Sequence, residues 1–164
     1  ALVAAAAGAT VAKHGNRSVT SRTGSADVLA ELGVNIEASV AQVEACLDEL
    51  GLCFCFAPLM HPSMKHVGKV RKELGIRTIF NVLGPLANPA RASRQVLGAG
   101  LRELRPLLAG AMQRLGTERT LVVSGEDGLG DVTVSGVTNV SEVVRDTVTD
   151  YRWTPEDFGL ERSG

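Results

Sequence analysis

Apolar residues recur along the chain with helical spacing in some segments and in short unbroken runs in others. Apolar positions three or four residues apart predict a helix over about residues 39–50, and Gly51 follows the last of them and should end the helix. Gly33 holds the same place after an earlier helix that begins at Gly24 or Ser25. Further helices are predicted over residues 61–74, from Thr78 into the helix-breaking stretch NVLGPLANP, and over about residues 103–115.

Strands are predicted where short apolar runs lie between turn-forming residues. The runs are CFCFA at 53–57, which Pro58 ends, QVLGA at 95–99 and TLVVS at 120–124, while Val/Thr-rich segments between 132 and 153 predict hairpins. Strands that alternate with helices build a parallel sheet with helices on both faces. The pattern therefore predicts an α/β fold, in which a mainly parallel sheet flanked by helices carries a short antiparallel portion.

A polar segment, KHGNRSVTSRTGS at residues 13–25, separates the first apolar run from the first predicted helix. Its cations and hydroxyls donate to anions, and glycine lets the backbone approach a bound group closely. The segment also falls at a strand-to-helix junction, where a helix N-terminus adds positive potential. It is therefore a candidate phosphate-binding loop. A polar surface loop with a good helix cap is the other interpretation, because the segment matches neither a P-loop nor a GxGxxG pattern.

The predicted helix over residues 61–74 carries an arginine on its apolar side. Met64, Val67, Val70 and Leu74 form one stripe at helical spacing, and Arg71 falls within it. A guanidinium on a buried face is costly unless it meets an anion or several acceptors. Arg71 is therefore predicted either to pair with a carboxylate of the protein or to bind a ligand.

Composition and charge narrow the class of protein. The 164 residues are 45% apolar, which is enough for one sizeable core, so a single domain is expected. The formal net charge of −1 gives no electrostatic reason to expect a nucleic acid or an anionic membrane as a partner. The longest apolar run, within residues 1–12, is too short to span a bilayer.

Cysteine and histidine are few, and their spacing is not that of metal sites. The cysteines are predicted to be buried reduced thiols, which indicates a cytoplasmic protein; they are Cys46, Cys53 and Cys55. Each histidine is expected to be hydrogen-bonded or exposed; they are His14, His61 and His66.

Several long motifs resemble one enzyme family. KHGNRSVTSRTGSADVLAELGVNI, FAPLMHPSMKHVGKVRKELGIRTIFNVLGPLANPA, GEDGLGDVTVSG and TPEDFGL are similar to the anthranilate phosphoribosyltransferases, nearly from end to end of the chain. The resemblance implies a cytoplasmic, homodimeric enzyme of tryptophan biosynthesis that uses Mg²⁺ to join phosphoribosyl pyrophosphate and anthranilate. It also implies that the chain is part of a larger α/β domain, with a helical domain and a GTGGD loop before it and further helices after it, and that the chain by itself is inactive.

The resemblance assigns roles to residues by motif match. Asn16 would also face anthranilate, Arg71 would contact the carboxylate of anthranilate, and no single catalytic acid or base is implied. The residues implied to bind phosphoribosyl pyrophosphate are Lys13, His14, Gly15, Asn16, Arg17, Ser18, Val19, Thr20, Ser21 and Ser25. The stretch RTIFNVLGPLANP is expected to shape the site structurally, with Asn81 and Asn88 satisfying its backbone.

The chain departs from the family at its metal motif. Family members usually carry GLDE, whose Asp and Glu hold magnesium, whereas this chain has Gly130 and Asp131. Asp131 is therefore the expected metal ligand. Glu126 and Asp127 either add to the site or only stabilise the turn. Two other functions remain open: a related pyrimidine nucleoside phosphorylase, and a non-catalytic relative that binds nucleic acid or another partner.

Overall fold

The computed structural model describes residues 1–17, 23–76 and 78–163, and it leaves the side chains at positions 65, 69, 71 and 72 undescribed. The chain forms two compact units, Ala1–Arg91 and Ala92–Gly164. Each unit has its own sheet.

The described part of the first unit contains two strands and six helices. The strands are β1 (Val11–Gly15) and β2 (Leu52–Phe56). The helices are α1 (Leu2–Ala6), α2 (Ser25–Glu31), α3 (Val40–Leu50), α4 (Ala57–Met60), α5 (Lys65–Leu74) and α6 (Phe80–Leu83). Single 3-10 turns lie at Pro62–Met64 and Gly84–Leu86.

Helix α3 shows how local sequence signals set the bounds of an element. The Ser39 hydroxyl accepts a hydrogen bond from the Gln42 backbone N–H at 3.4 Å, and the Gln42 side chain accepts one from the Ser39 N–H at 2.9 Å. This reciprocal capping box satisfies two N–H groups that the helix itself leaves free. Gly51 ends the helix in the left-handed conformation, with φ of 66°. The predicted helix over residues 39–50 is confirmed.

Two small apolar clusters form the core of the first unit. In one, Phe56 at the end of β2 packs with Ala26 of α2 and with Ile36. In the other, Val43 of α3 packs on Cys53 and Cys55, which lie on one face of β2. Strand β1 pairs with β2 in parallel from Val11↔Leu52 to Gly15↔Phe56, so both strands end at the same edge of the sheet.

Two of the three cysteines are buried, as the sequence predicts, and burial raises the pKa of their thiols. Cys53 and Cys55 are buried with sulfur atoms 3.9 Å apart, and burial, with Cys55 as neighbour, raises the pKa of Cys53 to about 12. Burial also raises the pKa of Cys55. Both are therefore protonated thiols at neutral pH. Cys46 on α3 is exposed, so the prediction of a buried thiol is wrong there.

The described part of the second unit contains four strands and one α-helix. They are β3 (Arg94–Gly98), α7 (Arg105–Arg114), β4 (Arg119–Gly125), β5 (Thr138–Val144) and β6 (Thr147–Trp153). Single 3-10 turns lie at Arg102–Leu104 and Pro155–Phe158.

One mixed sheet in the order β3-β4-β5-β6 organises the second unit. Strands β3 and β4 are parallel, whereas β4 with β5 and β5 with β6 are antiparallel. Helix α7 packs on the sheet, and the fully buried side chains include Met112, Val122 and Val140. Such burial is worth about 1.5–3 kcal/mol for each large apolar side chain.

The α/β fold class predicted from the sequence is confirmed. Parallel strand pairs occur in both units, and the antiparallel part consists of β4, β5 and β6. The segment 132–137, which the sequence assigned to a hairpin, contains no strand. None of the helices in the described ranges is both long and apolar enough to cross a membrane.

The first apolar run, which the strand-to-helix junction implies to be a strand, is a strand only at its end. It forms the short helix α1 and then enters β1 only at Val11. Because pairing with β2 continues to Gly15, the first three residues of the polar segment, Lys13, His14 and Gly15, belong to the strand and not to the loop.

The apolar stripe on α5 is not buried as expected. Val70 is 53% exposed and Leu74 is 54% exposed. The prediction of a buried face is therefore wrong for these two residues. The Arg71 side chain lies outside the description, so the choice between an internal partner and a ligand stays a prediction.

Candidate functional site

The carboxyl ends of β1 and β2 define the edge where the candidate site lies. Gly15 pairs with Phe56 at this edge, and the chain then continues through Asn16 and Arg17 towards α2. Ligands of α/β sheets bind outside the carboxyl ends of parallel strands, because loops and helix starts converge there. The strand-to-helix junction predicted for the polar segment is confirmed.

Gly15 and Ser25 meet closely at this edge. A Cβ atom on Gly15 would lie 2.8 Å from the Ser25 Oγ and 3.0 Å from two atoms of the Phe54 ring, so only glycine fits without displacement. Ser25 begins α2, whose first turn is fixed by a 2.9 Å hydrogen bond from the Gly24 N–H to Asp27. The fold thus brings together two residues predicted to bind phosphoribosyl pyrophosphate, although ten positions separate them in the chain.

Carboxylates and a ring surround Arg17. Its guanidinium lies 3.3 Å from Asp27 and 3.9 Å from Glu37, and its Cζ lies 6.0 Å from the centroid of Phe56. The Arg17 side chain is half exposed, and exposed pairs contribute only about 0.2–1 kcal/mol each. These ion pairs therefore contribute little to stability. The Asn16 side chain is turned back on the loop, because its Oδ1 accepts a 2.8 Å bond from the Arg17 N–H.

Part of the predicted loop lies outside the described residues. These positions are Ser18, Val19, Thr20 and Ser21. Their assignment to the phosphoribosyl pyrophosphate site stays a prediction, as does that of Arg71.

A contact between two histidines was not foreseen. The Nε2 atoms of His14 and His61 are 3.2 Å apart, although 47 positions separate the residues in the chain. Burial lowers the pKa of His14, and the neighbouring His61 and Lys13 lower it further, while a hydrogen bond with the Gly84 backbone opposes the shift. His14 is therefore predominantly neutral at neutral pH. No spacing in the sequence indicates this pair.

The stretch from Thr78 to Arg91 supports the strand that carries the site. The Asn88 side chain donates a 3.1 Å bond to the Ala12 carbonyl of β1 and accepts a 3.0 Å bond from the Ala90 N–H. The Asn81 side chain accepts a 2.9 Å bond from the Thr78 N–H. Both asparagines satisfy backbone groups, as the sequence predicts.

In the second unit, the segment after β4 is held by Asp127. Its carboxylate accepts hydrogen bonds from the Thr133 hydroxyl, from the Leu129 N–H at 3.0 Å and from the Ser135 hydroxyl at 3.0 Å. These bonds, that of Thr133 foremost, hold the pKa of Asp127 below its usual range. The geometry favours the structural interpretation of Asp127, because its oxygens already hold the turn.

Gly130 lies in a tight backbone contact with the end of β3. A Cβ on Gly98 would lie 1.7 Å from the Gly130 carbonyl oxygen, and a Cβ on Gly130 would lie 2.9 Å from the Gly100 nitrogen. Neither residue has positive φ. Close approach, and not unusual backbone conformation, therefore requires glycine at both positions. A carboxylate at position 130 would need the backbone to move.

Asp131 is exposed, as Glu126 and Asp127 are, and unlike that of Asp127 its side chain makes no hydrogen bond or ion pair with the described residues. Across the described ranges, no group of three or more His, Cys, Asp or Glu side chains converges as a metal site. One carboxylate is nevertheless compatible with Mg²⁺, which often takes one or two carboxylates together with substrate phosphates.

Comparison with known proteins identifies the family. The model of the glycosyl transferase family, a/b domain, matches residues 1–164. The chain belongs to this family.

Curated relatives from this glycosyl transferase family share about half of their residues with the chain. The anthranilate phosphoribosyltransferase of Nitrosomonas europaea is 50% identical over 163 residues, which cover 99% of this chain and 48% of the relative. That of Haloferax volcanii is 53% identical over 163 residues, covering 99% of this chain and 49% of the relative. The chain thus spans about half the length of the curated relatives it matches.

Solved structures of the glycosyl transferase family share the fold. The anthranilate phosphoribosyltransferase of Thermus thermophilus superposes with a TM-score of 0.90 at 49% identity, covering 100% of this chain and 48% of that chain. The Saccharomyces cerevisiae enzyme in complex with PRPP (phosphoribosyl pyrophosphate) and Mg gives a TM-score of 0.85 at 34% identity, covering 94% of this chain and 42% of that chain. A structure of the same yeast enzyme contains 4-fluoroanthranilate and gives a TM-score of 0.82 at 32% identity, covering 96% of this chain and 42% of that chain.

Proposed function

We propose that the protein carrying this chain transfers the phosphoribosyl group of phosphoribosyl pyrophosphate to anthranilate and releases pyrophosphate. The observation that carries the proposal is the junction at the end of β1, where Gly15 lets the strand approach the Ser25 hydroxyl closely. Similarity to anthranilate phosphoribosyltransferases over 99% of the chain supports the same reaction. The pyrimidine nucleoside phosphorylase and the non-catalytic relative are not favoured, because the similar proteins and structures compared above are anthranilate phosphoribosyltransferases.

The reaction asks for positioning more than for a strong base. The aromatic amine of anthranilate is a nucleophile already, and its nitrogen bonds to C1 of the ribose as the C1–oxygen bond to pyrophosphate breaks. The amine then loses one proton to solvent. The protein therefore has to align the two substrates and to stabilise the negative charge of the leaving pyrophosphate.

The residues of the junction divide this work. We assign the charges of Lys13 and Arg17 to the phosphates, together with the hydroxyls of Ser18, Thr20, Ser21 and Ser25. The ion pairs of Arg17 with Asp27 and Glu37 support this assignment. They keep the guanidinium near the strand edge, and because they are exposed they contribute little to stability. Asn16 follows Gly15 directly and is assigned to both substrates.

Arg71 is assigned to the carboxylate of anthranilate. A guanidinium presents two parallel donors that match a carboxylate, so it binds and orients that group at once. The assignment rests on motif match, and Arg71 belongs to helix α5.

Magnesium is part of the proposal, and Asp131 is the residue that would hold it. When bound, Mg²⁺ neutralises charge on the pyrophosphate as it departs. The yeast neighbour, whose structure contains PRPP and Mg, supports a role for magnesium here. We further propose that the protein acts in tryptophan biosynthesis, in the cytoplasm and as a homodimer, as the resemblance implies.

The test is product formation by the purified protein that carries this chain. With phosphoribosyl pyrophosphate, anthranilate and Mg²⁺, we expect anthranilate to be consumed with release of one pyrophosphate per molecule, and we expect chelation of the metal to stop the reaction. If the folded protein consumed neither substrate under these conditions, the proposal would be contradicted.

A further inference from the structure

One carboxylate contacts both ends of the candidate phosphate-binding loop. Asp27 of α2 accepts a hydrogen bond at Oδ1 from the Arg17 guanidinium at 3.3 Å, and at Oδ2 it accepts one from the Gly24 N–H at 2.9 Å. Arg17 comes directly before positions 18–22 of the loop, and Gly24 follows shortly after them. Asp27 therefore links the two residues that flank the hydroxyls assigned to the phosphates.

We propose that Asp27 is a positioning residue of the phosphate site, which fixes the Arg17 guanidinium relative to the start of α2. The inference rests on the proposed function, in which Arg17 and Ser25 contact the phosphates. Asp27 does not itself contact the substrate. It holds in place two groups that do.

The carboxylate is attached to a fixed part of the fold. Ala26, the residue before it, is fully buried and packs with Ile36 and Phe56. The Arg17 Cζ lies 6.0 Å from the centroid of the same Phe56 ring. The start of α2 cannot shift without opening this cluster, so Asp27 is a fixed partner for Arg17.

Charge alone gives no reason for a carboxylate at this place. A negative group near bound phosphates repels them, so Asp27 weakens their binding unless it also orders a cation. A long side chain loses rotamer freedom when it is fixed, and a partner that fixes it before the substrate arrives removes that cost from binding. The contact uses Nη1 of Arg17, and a guanidinium has five N–H donors, so others are left for phosphate oxygens.

The repulsion and the ordering change phosphate binding in opposite directions, so a titration separates them. The test is calorimetric titration of the protein that carries this chain with phosphoribosyl pyrophosphate in the presence of Mg²⁺. We expect Asp27→Asn to weaken binding by about two- to tenfold, because the variant loses the charge that fixes Arg17. Asn retains an oxygen that can accept the Gly24 N–H, so the start of α2 is kept.

Glu31→Gln is the matched control. Glu31 lies one turn further along α2, and its side chain makes no hydrogen bond or ion pair with the part of the chain that the structure describes. The substitution removes the same charge from the same helix without touching Arg17. It should not weaken the binding of phosphoribosyl pyrophosphate.

Two further comparisons separate positioning from helix capping. Asp27 is the third residue of α2 and caps it through the Gly24 N–H, a position that Glu and Gln both suit. Asp27→Glu and Asp27→Gln therefore keep the cap and differ in charge, and we expect the Glu variant to bind more tightly. In an Arg17→Gln background, Asp27→Asn should cause no further loss, because its effect depends on Arg17. Circular dichroism shows whether each variant is folded.

Three results would overturn the inference and leave Asp27 as a helix cap only. They are Asp27→Asn binding at least as tightly as Glu31→Gln, equal binding by the Glu and Gln variants at position 27, and an undiminished effect of Asp27→Asn without Arg17. If the unsubstituted protein bound no phosphoribosyl pyrophosphate, the proposed function itself would fail, and this inference with it.

Discussion

Replacing Gly98 with alanine should strongly destabilise the second unit. The added Cβ would lie 1.7 Å from the Gly130 carbonyl oxygen and 2.8 Å from its carbonyl carbon. Both are backbone atoms, so no side-chain rotation relieves the clash, and either β3 or the segment after β4 must move. Overpacking typically costs about 1–3 kcal/mol even where side chains can adjust, and we therefore expect Gly98→Ala to lower the free energy of unfolding by about 3 kcal/mol or more.

Tryptophan fluorescence during urea unfolding measures this effect. Trp153 is the sole tryptophan of the chain and lies in β6 against Tyr151 and Phe158, so it reports on the second unit. Gly100→Ala is the matched control, because a Cβ there meets nothing within 4 Å. Its stability should change by less than about 0.5 kcal/mol, and the reasoning would be refuted if the two variants unfolded with free energies within about 1 kcal/mol of each other.

Three further predictions concern charged residues. Asp131→Asn should raise the half-saturating Mg²⁺ concentration several-fold in an activity titration; an unchanged value would place the metal elsewhere. Arg71→Ala should raise the KM of anthranilate far more than that of phosphoribosyl pyrophosphate, whereas a lowered melting temperature with an unchanged anthranilate KM would indicate an internal salt bridge. Bonds from the Ser141 hydroxyl and the Arg105 guanidinium lower the pKa of Asp150. Its stabilisation is therefore present above the ordinary pKa of roughly 3.9 and lost as pH falls below it. Asp150→Asn should destabilise the protein at neutral pH and weaken this acid dependence in urea unfolding, and parallel pH profiles would contradict this.

Local signals made several elements predictable. Local residues mark both ends of α3: Ser39 and Gln42 form the cap at its start, and Gly51 ends it. No tertiary contact is therefore needed to place this helix. The run TLVVS lies wholly within β4, because its apolar β-branched residues suit a sheet that is covered by a helix. The alternation of such elements was enough to predict the α/β class.

Contacts that depend on tertiary packing could not be read from the sequence. The pairing of His14 with His61 arises only when β1 and the end of α4 come together. Likewise, the need for glycine at position 98 comes from the backbone of Gly130 across the unit. The end of β1 was misplaced because pairing with β2 carries polar residues into the strand, against their local preference for a loop. In the candidate site, the approach of Gly15 to Ser25 could not be read from the sequence either, because it depends on how the end of β1 meets the start of α2.

The central claim is that the junction after β1 binds phosphoribosyl pyrophosphate, and the KM of that substrate in Gly15→Ala tests it most directly. The Cβ would displace the Ser25 hydroxyl and press on the Phe54 ring. Gly68→Ala in α5 is the control, since a Cβ there meets nothing within 4 Å. Ser25→Ala removes the hydroxyl without adding bulk. We predict that Gly15→Ala and Ser25→Ala each raise this KM by at least about tenfold, as expected for a lost charge-assisted contact of about 1.5–3 kcal/mol, and that Gly68→Ala leaves it unchanged. Values equal to the control in both folded site variants would contradict the account.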